Sequence, residues 1–561
     1  MSKSVYIIFM SLNHNLFFIA TFYSGLSTGR MNQIYRIQEK WRENSFFFSL
    51  IAIVAFFPFS EAFVSIFTGL LLLQALVLRS WLHPSFKIRH LKIVLFPVSV
   101  YVVYLIGTIF THDITLAVYE LKKTIFWVVV PLAIAISPKL PAKKLYTVLL
   151  VFILAVVVSS LVSLTRYLLH DYLQIDGFRS LSMISHIRFS FQVILSLIIL
   201  SWFYFKPIPV AINKMVFLAA FIWLMVFLLL LKSLLGIIAF FCTLITGLIL
   251  FIVRLKSRKW QMTYTAVLLF IAFLPVYMVA KVVADFYDFK EVDPLSIESK
   301  TISGNYYSHN FEEGSRENGH LIYVYICDDE LRHEWNKRSD LKYDDLLNGY
   351  PLSSTLIRFM TSRGLRKDSA GISSLSEGEI KLIESGVTNY KFADQHFSVY
   401  PRIYETVWEL DNYFRTGDPN YKTVAQRLEY FKASMYIIRH NPIFGIGTGN
   451  WEIKYNEAYD LMESKLLKEN RASSHNQYVN YLVKFGFAGT LWIIIAVLFP
   501  VIVLNNRKNY IFILFLIAIA FVNFGDANLE THMGLSFFTF FYSLFLFNST
   551  EEMKKPLPSS R

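Results

Sequence analysis

The feature that most constrains this chain is a succession of apolar runs, close to bilayer-spanning length, that recurs over most of its 561 residues. A hydrocarbon core about 30 Å thick calls for about 20 helical residues per crossing, with about 17 as the lower limit. Such runs fall at 46–58, 62–78, 93–111, 121–137, 146–167 and 188–205, then at 215–231, 234–253, 263–284, 488–505, 510–525 and 533–548. In lipid every backbone polar group must be satisfied within the segment, so runs of this kind form helices. The expectation is an all-α polytopic membrane protein with about twelve transmembrane helices. Composition agrees: charged residues are 17% of the chain, against about 25% in soluble domains, and they bunch between the apolar runs.

The formal net charge of +13 would suit nucleic acid, but its placement points to a lipid bilayer. Basic clusters occupy short connectors, at Arg79–Lys92, Lys139–Lys144, Arg254–Lys259 and Arg507–Lys508. That is the pattern of cytoplasmic loops, and no basic stripe interleaves with aromatics as a nucleic-acid face would require. With residues 30–44 placed inside, every later basic connector also falls inside, and both termini are expected there. Cys242 lies in an apolar run and Cys327 in a polar stretch, which separates them in depth and argues against a disulfide. No Cys and His cluster at ligand spacing calls for a metal.

The chain divides into five parts on this reading. Residues 1–45 are an N-terminal segment whose apolar stretch Val5–Leu26 is interrupted by Asn13, His14 and Asn15, just before Met31. It reads as an upstream extension, an additional span or an uncleaved signal-like segment, with the extension favoured. Residues 46–284 are a membrane domain of about nine helices. Residues 285–487 form a polar loop domain on the extracytoplasmic side, too long for a connector. Residues 488–550 are C-terminal membrane helices, and 551–561 a cytoplasmic tail. Within the loop, Ser353–Arg363 and Arg427–Arg439 have helical character, the latter stopped by Asn441–Pro442. Gly445-Ile-Gly-Thr-Gly449 has no strand–helix unit around it, so it reads as a tight turn returning the loop to the membrane, not as a dinucleotide fingerprint.

Ionisable groups at the mouth of a membrane are costly and mark function. Arg188, preceded by His186, opens one span, and Lys232 occupies the turn between two others. Arg402, Arg427 and Arg439 lie in the loop, and His475 sits in Ala472-Ser-Ser-His-Asn-Gln-Tyr478. Converging on one outer cavity, the guanidinium groups would suit a diphosphate, since their forked donors match its oxygens. A neutral histidine beside them would accept a proton from an acceptor hydroxyl. The plainer readings stand alongside: Lys232 and Arg188 snorkelling to headgroups, Arg402 and Arg427 paired with loop carboxylates, and His475 a hydrogen-bonded bystander. Glu530 and His532, in the last outer connector, read as solvated. So do Glu312–Glu313 and Asp328–Glu330. The aromatics of 298–400, Trp335 among them, with Trp408 just beyond, read either as an acceptor surface or as the loop's own core.

Four motifs in order then carry a resemblance. Gln426-Arg-Leu-Glu-Tyr-Phe-Lys-Ala-Ser434, Phe444-Gly-Ile-Gly-Thr-Gly449, Ser474-His-Asn-Gln-Tyr478 and Phe485-Gly-Phe-Ala-Gly489 resemble the O-antigen ligase family, and Asn528-Leu-Glu-Thr-His-Met-Gly534 is similar to one branch of it. The resemblance is best over 400–545. It implies a C-type-glycosyltransferase-like membrane fold and a metal-independent glycosyltransferase of the bacterial inner membrane, without cofactor. The donor would be a glycan on undecaprenyl diphosphate. The acceptor would be lipid A-core, a growing glycan or a protein hydroxyl, for ligase, polymerase or protein O-oligosaccharyltransferase respectively. The family's essential histidine falls on His475 and its loop arginine on Arg427, both implied to be catalytic. Arg188 matches the arginine of the middle spans. Lys232 stands where a second arginine is usual, keeping charge but losing bidentate geometry. His186, Arg402, Asn476 and Glu530 complete the implied substrate-binding set. A lipid-linked glycan flippase or transporter is the rival of another class, but neither an internal repeat nor paired broken helices is visible in the sequence.

Overall fold

The structure, a computed structural model, describes residues 28–169, 182–206, 208–347, 349–393 and 399–554. The apolar stretch Val5–Leu26 and the end of the tail lie outside these described residues. Every apolar run from residue 46 onward is helical. In chain order they are α1 (Thr28–Phe56), α2 (Glu61–Val77), α3 (Ile88–Gly107), the consecutive α4 (Ile114–Thr124) and α5 (Phe126–Ile136), α6 (Ala142–Leu169), α7 (His186–Phe205), α8 (Lys214–Leu230), α9 (Leu234–Ile252) and α10 (Arg258–Phe286). After the loop domain come α18 (Gln477–Val503), α19 (Tyr510–Gly525) and α20 (His532–Asn548). Six of the described helices, α3, α6, α7, α9, α10 and α18, are long and apolar enough to cross a membrane.

Burial sorts these helices by role. Every residue of α20 from Met533 to Asn548 is buried, as expected of a helix that is apolar on all sides. Its phenylalanines form the hub of the bundle: Phe541 meets Phe152 of α6 at 4.7 Å and Phe537 meets Phe57 at 5.5 Å between ring centroids. By contrast, α10 buries only Val282 and Phe286. Its long apolar face, including Phe270, Phe273 and Val276, is exposed, as a lipid-facing helix requires. The ends of the bundle also differ. Asn506 Nδ2 donates to the Leu546 carbonyl, the Leu140 amide to Asn548 Oδ1, and Arg89 to the Val503 carbonyl. The basic connectors therefore gather at the C-terminal ends of α18 and α20.

One helix is discontinuous. Within α18, Gly486 takes φ 59°, ψ −167°, a backbone state that glycine reaches without penalty. The break frees carbonyls and amides, and the segment 442–447 takes them up. The Ile446 and Gly447 amides donate to the Val483 and Lys484 carbonyls, both at 2.9 Å, and the Phe487 amide donates to the Pro442 carbonyl at 2.8 Å. Thr448 and Asn450 then tie the same turn to the end of α3, through the carbonyls of Tyr104 and Phe110. The glycine-rich turn thus returns the loop to the bundle. Helix α18 begins at Gln477, not near 488, because the half before the break is too polar to register as an apolar run.

The loop domain carries α11 (Asp328–Arg338), α12 (Leu352–Ser362), α13 (Ser369–Ser373), α14 (Glu377–Glu384), α15 (Tyr400–Thr416), α16 (Thr423–His440) and α17 (Trp451–Leu461), with two short hairpins, Arg316–Glu317 with His320–Leu321 and Leu346–Leu347 with Tyr350–Pro351. Trp335 is fully buried with Leu356, Phe359 and Ile383, so it belongs to the loop's own core. The Arg358 guanidinium lies 4.1 Å from the Trp408 ring. Glu330 is not a solvated acid: it is buried and accepts from Thr301 Oγ1 at 2.7 Å, Asn305 Nδ2 at 2.8 Å and the Ser369 amide at 2.9 Å. Burial alone would raise its pKa, but these donors outweigh burial and bring it down to about 2.

Two expectations follow. Gly486→Ala puts a Cβ 2.3 Å from Ile443 backbone atoms in a left-handed conformation, so purified protein should melt several degrees lower. Gly69→Ala, where an added Cβ meets nothing within 4 Å, should melt like the parent. Because its folded pKa is depressed, Glu330 stabilises the loop above its ordinary 4.5, and this is lost as pH falls through about 2. Glu330→Gln should therefore speed proteolysis of the loop at pH 7, with the difference from the parent shrinking between pH 4.5 and 2.

Candidate functional site

At the end of the bundle opposite the basic connectors, four chain segments converge. The first is the start of α7, with His186 as its first helical residue and Arg188 one position beyond Ile187. The second is the α8–α9 turn, where Lys232 takes φ 47° and Ser233 caps α9 by accepting from the Gly236 amide. The third is the end of α19, running into the connector Asp526–Thr531. The fourth is the start of α18, preceded by His475. Small residues allow the approach. A Cβ on Gly236 would lie 2.5 Å from Ser190 Oγ of α7, and one on Gly525 would lie 2.4 Å from Leu235 of α9.

Asp526 is the residue on which the site closes. Its carboxylate pairs with Arg188 at 2.9 Å through one oxygen and faces His475 Nδ1 at 3.7 Å through the other. The latter distance is an ion-pair separation, longer than a hydrogen bond. Arg427, on α16, donates to the Gly525 carbonyl at 3.0 Å, one residue away. Burial pushes the Asp526 carboxyl up, but His475, Arg188 and Arg427 together hold it below the ordinary carboxylate value. Burial also lowers the Arg427 pKa from its usual value, partly offset by Asp526. Asp526 is buried, whereas the His475 side chain is 44% exposed, so the imidazole presents itself to an incoming group. The Tyr430 ring stands 5.7 Å from it.

The remaining sequence candidates take different places. Arg402, on α15, pairs with Glu405 at 2.7 Å and lies within electrostatic reach of Arg427. The Asn476 amide is committed to backbone: Oδ1 accepts from the Tyr478 and Val479 amides at the start of α18, and Nδ2 donates to the Phe524 carbonyl at 3.0 Å. Glu530 is not a solvated loop acid. It is buried beneath the site, paired with Lys484 at 2.7 Å and accepting from Tyr104 OH at 2.8 Å. His532 lies close by, 3.2 Å from Ser65 Oγ and edge-on to Phe126.

Asp526, Lys484 and Glu120 do not stand out in the sequence reading. Asp526 ends an apolar run just as Arg188 opens one, so the same criterion could have found it. Lys484 is hidden because the apolar run begins after it, and Glu120 because it falls one residue before a run.

This end of a helical membrane protein presents fixed cations, a buried carboxylate and a half-exposed imidazole, a set suited to an anionic lipid-linked substrate and a proton transfer. Residues 382–494 match the family model described as O-antigen ligase, a stretch that holds Arg402, Arg427, the glycine-rich turn, His475 and the break at Gly486. The match, with the ordered motifs, supports assignment of the chain to the O-antigen ligase family and indicates a glycosyltransferase-like enzyme of polysaccharide biosynthesis. No curated protein matches the chain in sequence.

The Arg188–Asp526 pair should behave as one unit. Arg188→Met and Asp526→Asn should each destabilise, and the double variant should lose less than their sum. A thermal double-mutant cycle should give a coupling of about 1–3 kcal/mol.

Proposed function

We propose that this protein transfers a glycan from undecaprenyl diphosphate to an acceptor hydroxyl at the outer face of the bacterial inner membrane, with O-antigen ligation to lipid A-core as the reaction. The observation that carries this reading is the junction of Arg188 and His475 on one buried carboxylate, Asp526, inside a chain matching the O-antigen ligase model. In this reading about twelve helices span the membrane and the loop domain between α10 and α18 faces the periplasm.

The chemistry follows from charge placement. The diphosphate binds against Arg188 and Arg427, with Lys232 and Arg402 adding positive potential around it and His186 offering a ring N–H. Asp526 holds the Arg188 guanidinium and orients the His475 imidazole. The acceptor hydroxyl gives its proton to His475 as its oxygen attacks the anomeric carbon. The bond from that carbon to the diphosphate oxygen breaks, and the electron pair leaves with undecaprenyl diphosphate, inverting the configuration. Charge grows on the leaving oxygen during the step, so preorganised cations stabilise the transition state more than the ground state. Proton transfer through a positioned histidine contributes roughly 10²–10⁴-fold.

Cells lacking the gene, complemented with the parent or with His475→Ala, test the proposal. Lipopolysaccharide stopped at its core, polymeric glycan accumulating on undecaprenyl diphosphate, and no rescue by His475→Ala are the expected results. Single repeat units on otherwise complete lipopolysaccharide would make the enzyme a polymerase. Normal pools of both, or full rescue by His475→Ala, would overturn the reading. In the purified enzyme, Arg188→Ala should raise the donor KM about tenfold or more, as expected for loss of a charged contact to diphosphate.

A further inference from the structure

Beneath the His475–Asp526 pair lies a network of charges, buried at Lys484, Glu530 and Glu120 and half-buried at Lys123, that the proposed reaction does not use. Lys484 on α18 pairs with Glu530 at 2.7 Å and with Glu120 at 3.1 Å. Glu120, on α4, also pairs with Lys123 at 2.7 Å. Two carboxylates and two ammonium groups thus balance, which is what burial of charge requires. Tyr104 of α3 donates to the second oxygen of Glu530 at 2.8 Å.

The geometry of α18 gives this network a direction. Gln477, Tyr481 and Lys484 are spaced i, i+4, i+7 and share one helix face. Glu530 is gripped from both ends of that face, by Lys484 on one oxygen and by Gln477 Nε2, at 3.5 Å, on the other. Gln477 Oε1 also accepts from the Leu529 amide at 2.7 Å. Gln477 is two residues after His475, and Glu530 is four after Asp526. The same contacts therefore fix the segment carrying the imidazole against the segment carrying the carboxylate.

We propose that Gln477, Lys484 and Glu530 form a clip that positions His475 against Asp526, making Lys484 and Glu530 positioning residues for the transfer step. The proposal rests on the reading of His475 as the proton acceptor. It gives Glu530 a role beneath the site in place of contact with substrate. Without the clip, the connector 526–531 is free to shift relative to the start of α18. The donor cations Arg188 and Arg427 are rooted on α7 and α16 and touch the connector only at its start, through Asp526 and the Gly525 carbonyl. The loss should therefore fall on kcat far more than on donor binding.

The test is transfer by the full-length enzyme in detergent, from a synthetic undecaprenyl diphosphate glycan to purified lipid A-core. Glu530→Gln is compared with the charge-balanced pair Lys484→Met/Glu530→Gln, which leaves Glu120 with Lys123. The pair should remain monodisperse and melt near the parent temperature, with kcat down roughly 10–100-fold, the scale of a misplacement of about 1 Å, and donor KM within about twofold. Lys484→Arg, which keeps the cation, should recover most of kcat. Parent-like kcat in the pair overturns the proposal. So does a loss of activity that only follows loss of folded protein, including a pair that does not fold, since the network would then serve folding alone. His475→Ala, assayed in parallel, separates the failures. If it is inactive while the pair is normal, only the clip is wrong; if it is active, the reading of the site is wrong.

Discussion

The structure depends on the rule that backbone polar groups withdrawn from water must be paired. The rule is under pressure at Gly486, where α18 stops being a helix close to the start of an apolar run. The break survives because the chain at 442–447 supplies the missing partners, two amides for the Val483 and Lys484 carbonyls and two carbonyls for the Phe487 and Ala488 amides. The loop domain is thereby joined to the bundle through backbone as well as through side chains. The same turn carries α16, and with it Arg427, towards the end of α19.

Charge is handled by the same logic. Each of these buried or half-buried ions near the site has a partner of opposite sign: Arg188 has Asp526, and Lys484 has Glu530 and Glu120. The pairs have separate uses. The upper one leaves a half-exposed imidazole beside Asp526 and Arg188, while in the lower one two carboxylates are balanced by two ammonium groups. In the proposed reaction, a buried, paired layer below a partly open one lets fixed cations act on a developing charge with little screening.

How much of this is legible in the sequence depends on the range of the interaction. The helices are visible because apolar runs report their own environment, Arg188 because a charge at the mouth of an apolar run stands out, and His475 because it lies in a motif resembling the O-antigen ligase family. Glu330 reads as solvated though it is buried, and Trp335 stays open between acceptor surface and core, since a soluble loop buries its residues according to tertiary contacts that have no local period. Lys484 escapes notice for a related reason: its half of α18 is polar enough to look like loop, and only its partners from α4 and the last connector make it a membrane-domain residue.

The sequence by itself determined the class, a largely helical membrane protein, because hydropathy is local, and its contiguous motifs carried the resemblance to the O-antigen ligase family. It also placed Arg188 and Lys232 at span ends and Arg402, Arg427 and His475 in the outer loop. Tertiary structure alone decided that Asp526 unites Arg188 with His475, that Asn476 and Glu530 are committed to protein contacts, and that Gly486 interrupts a helix. Each of those depends on groups far apart in the chain, Arg188 and Asp526 above all, and no local pattern encodes which distant residue will complete a buried charge or an unpaired carbonyl.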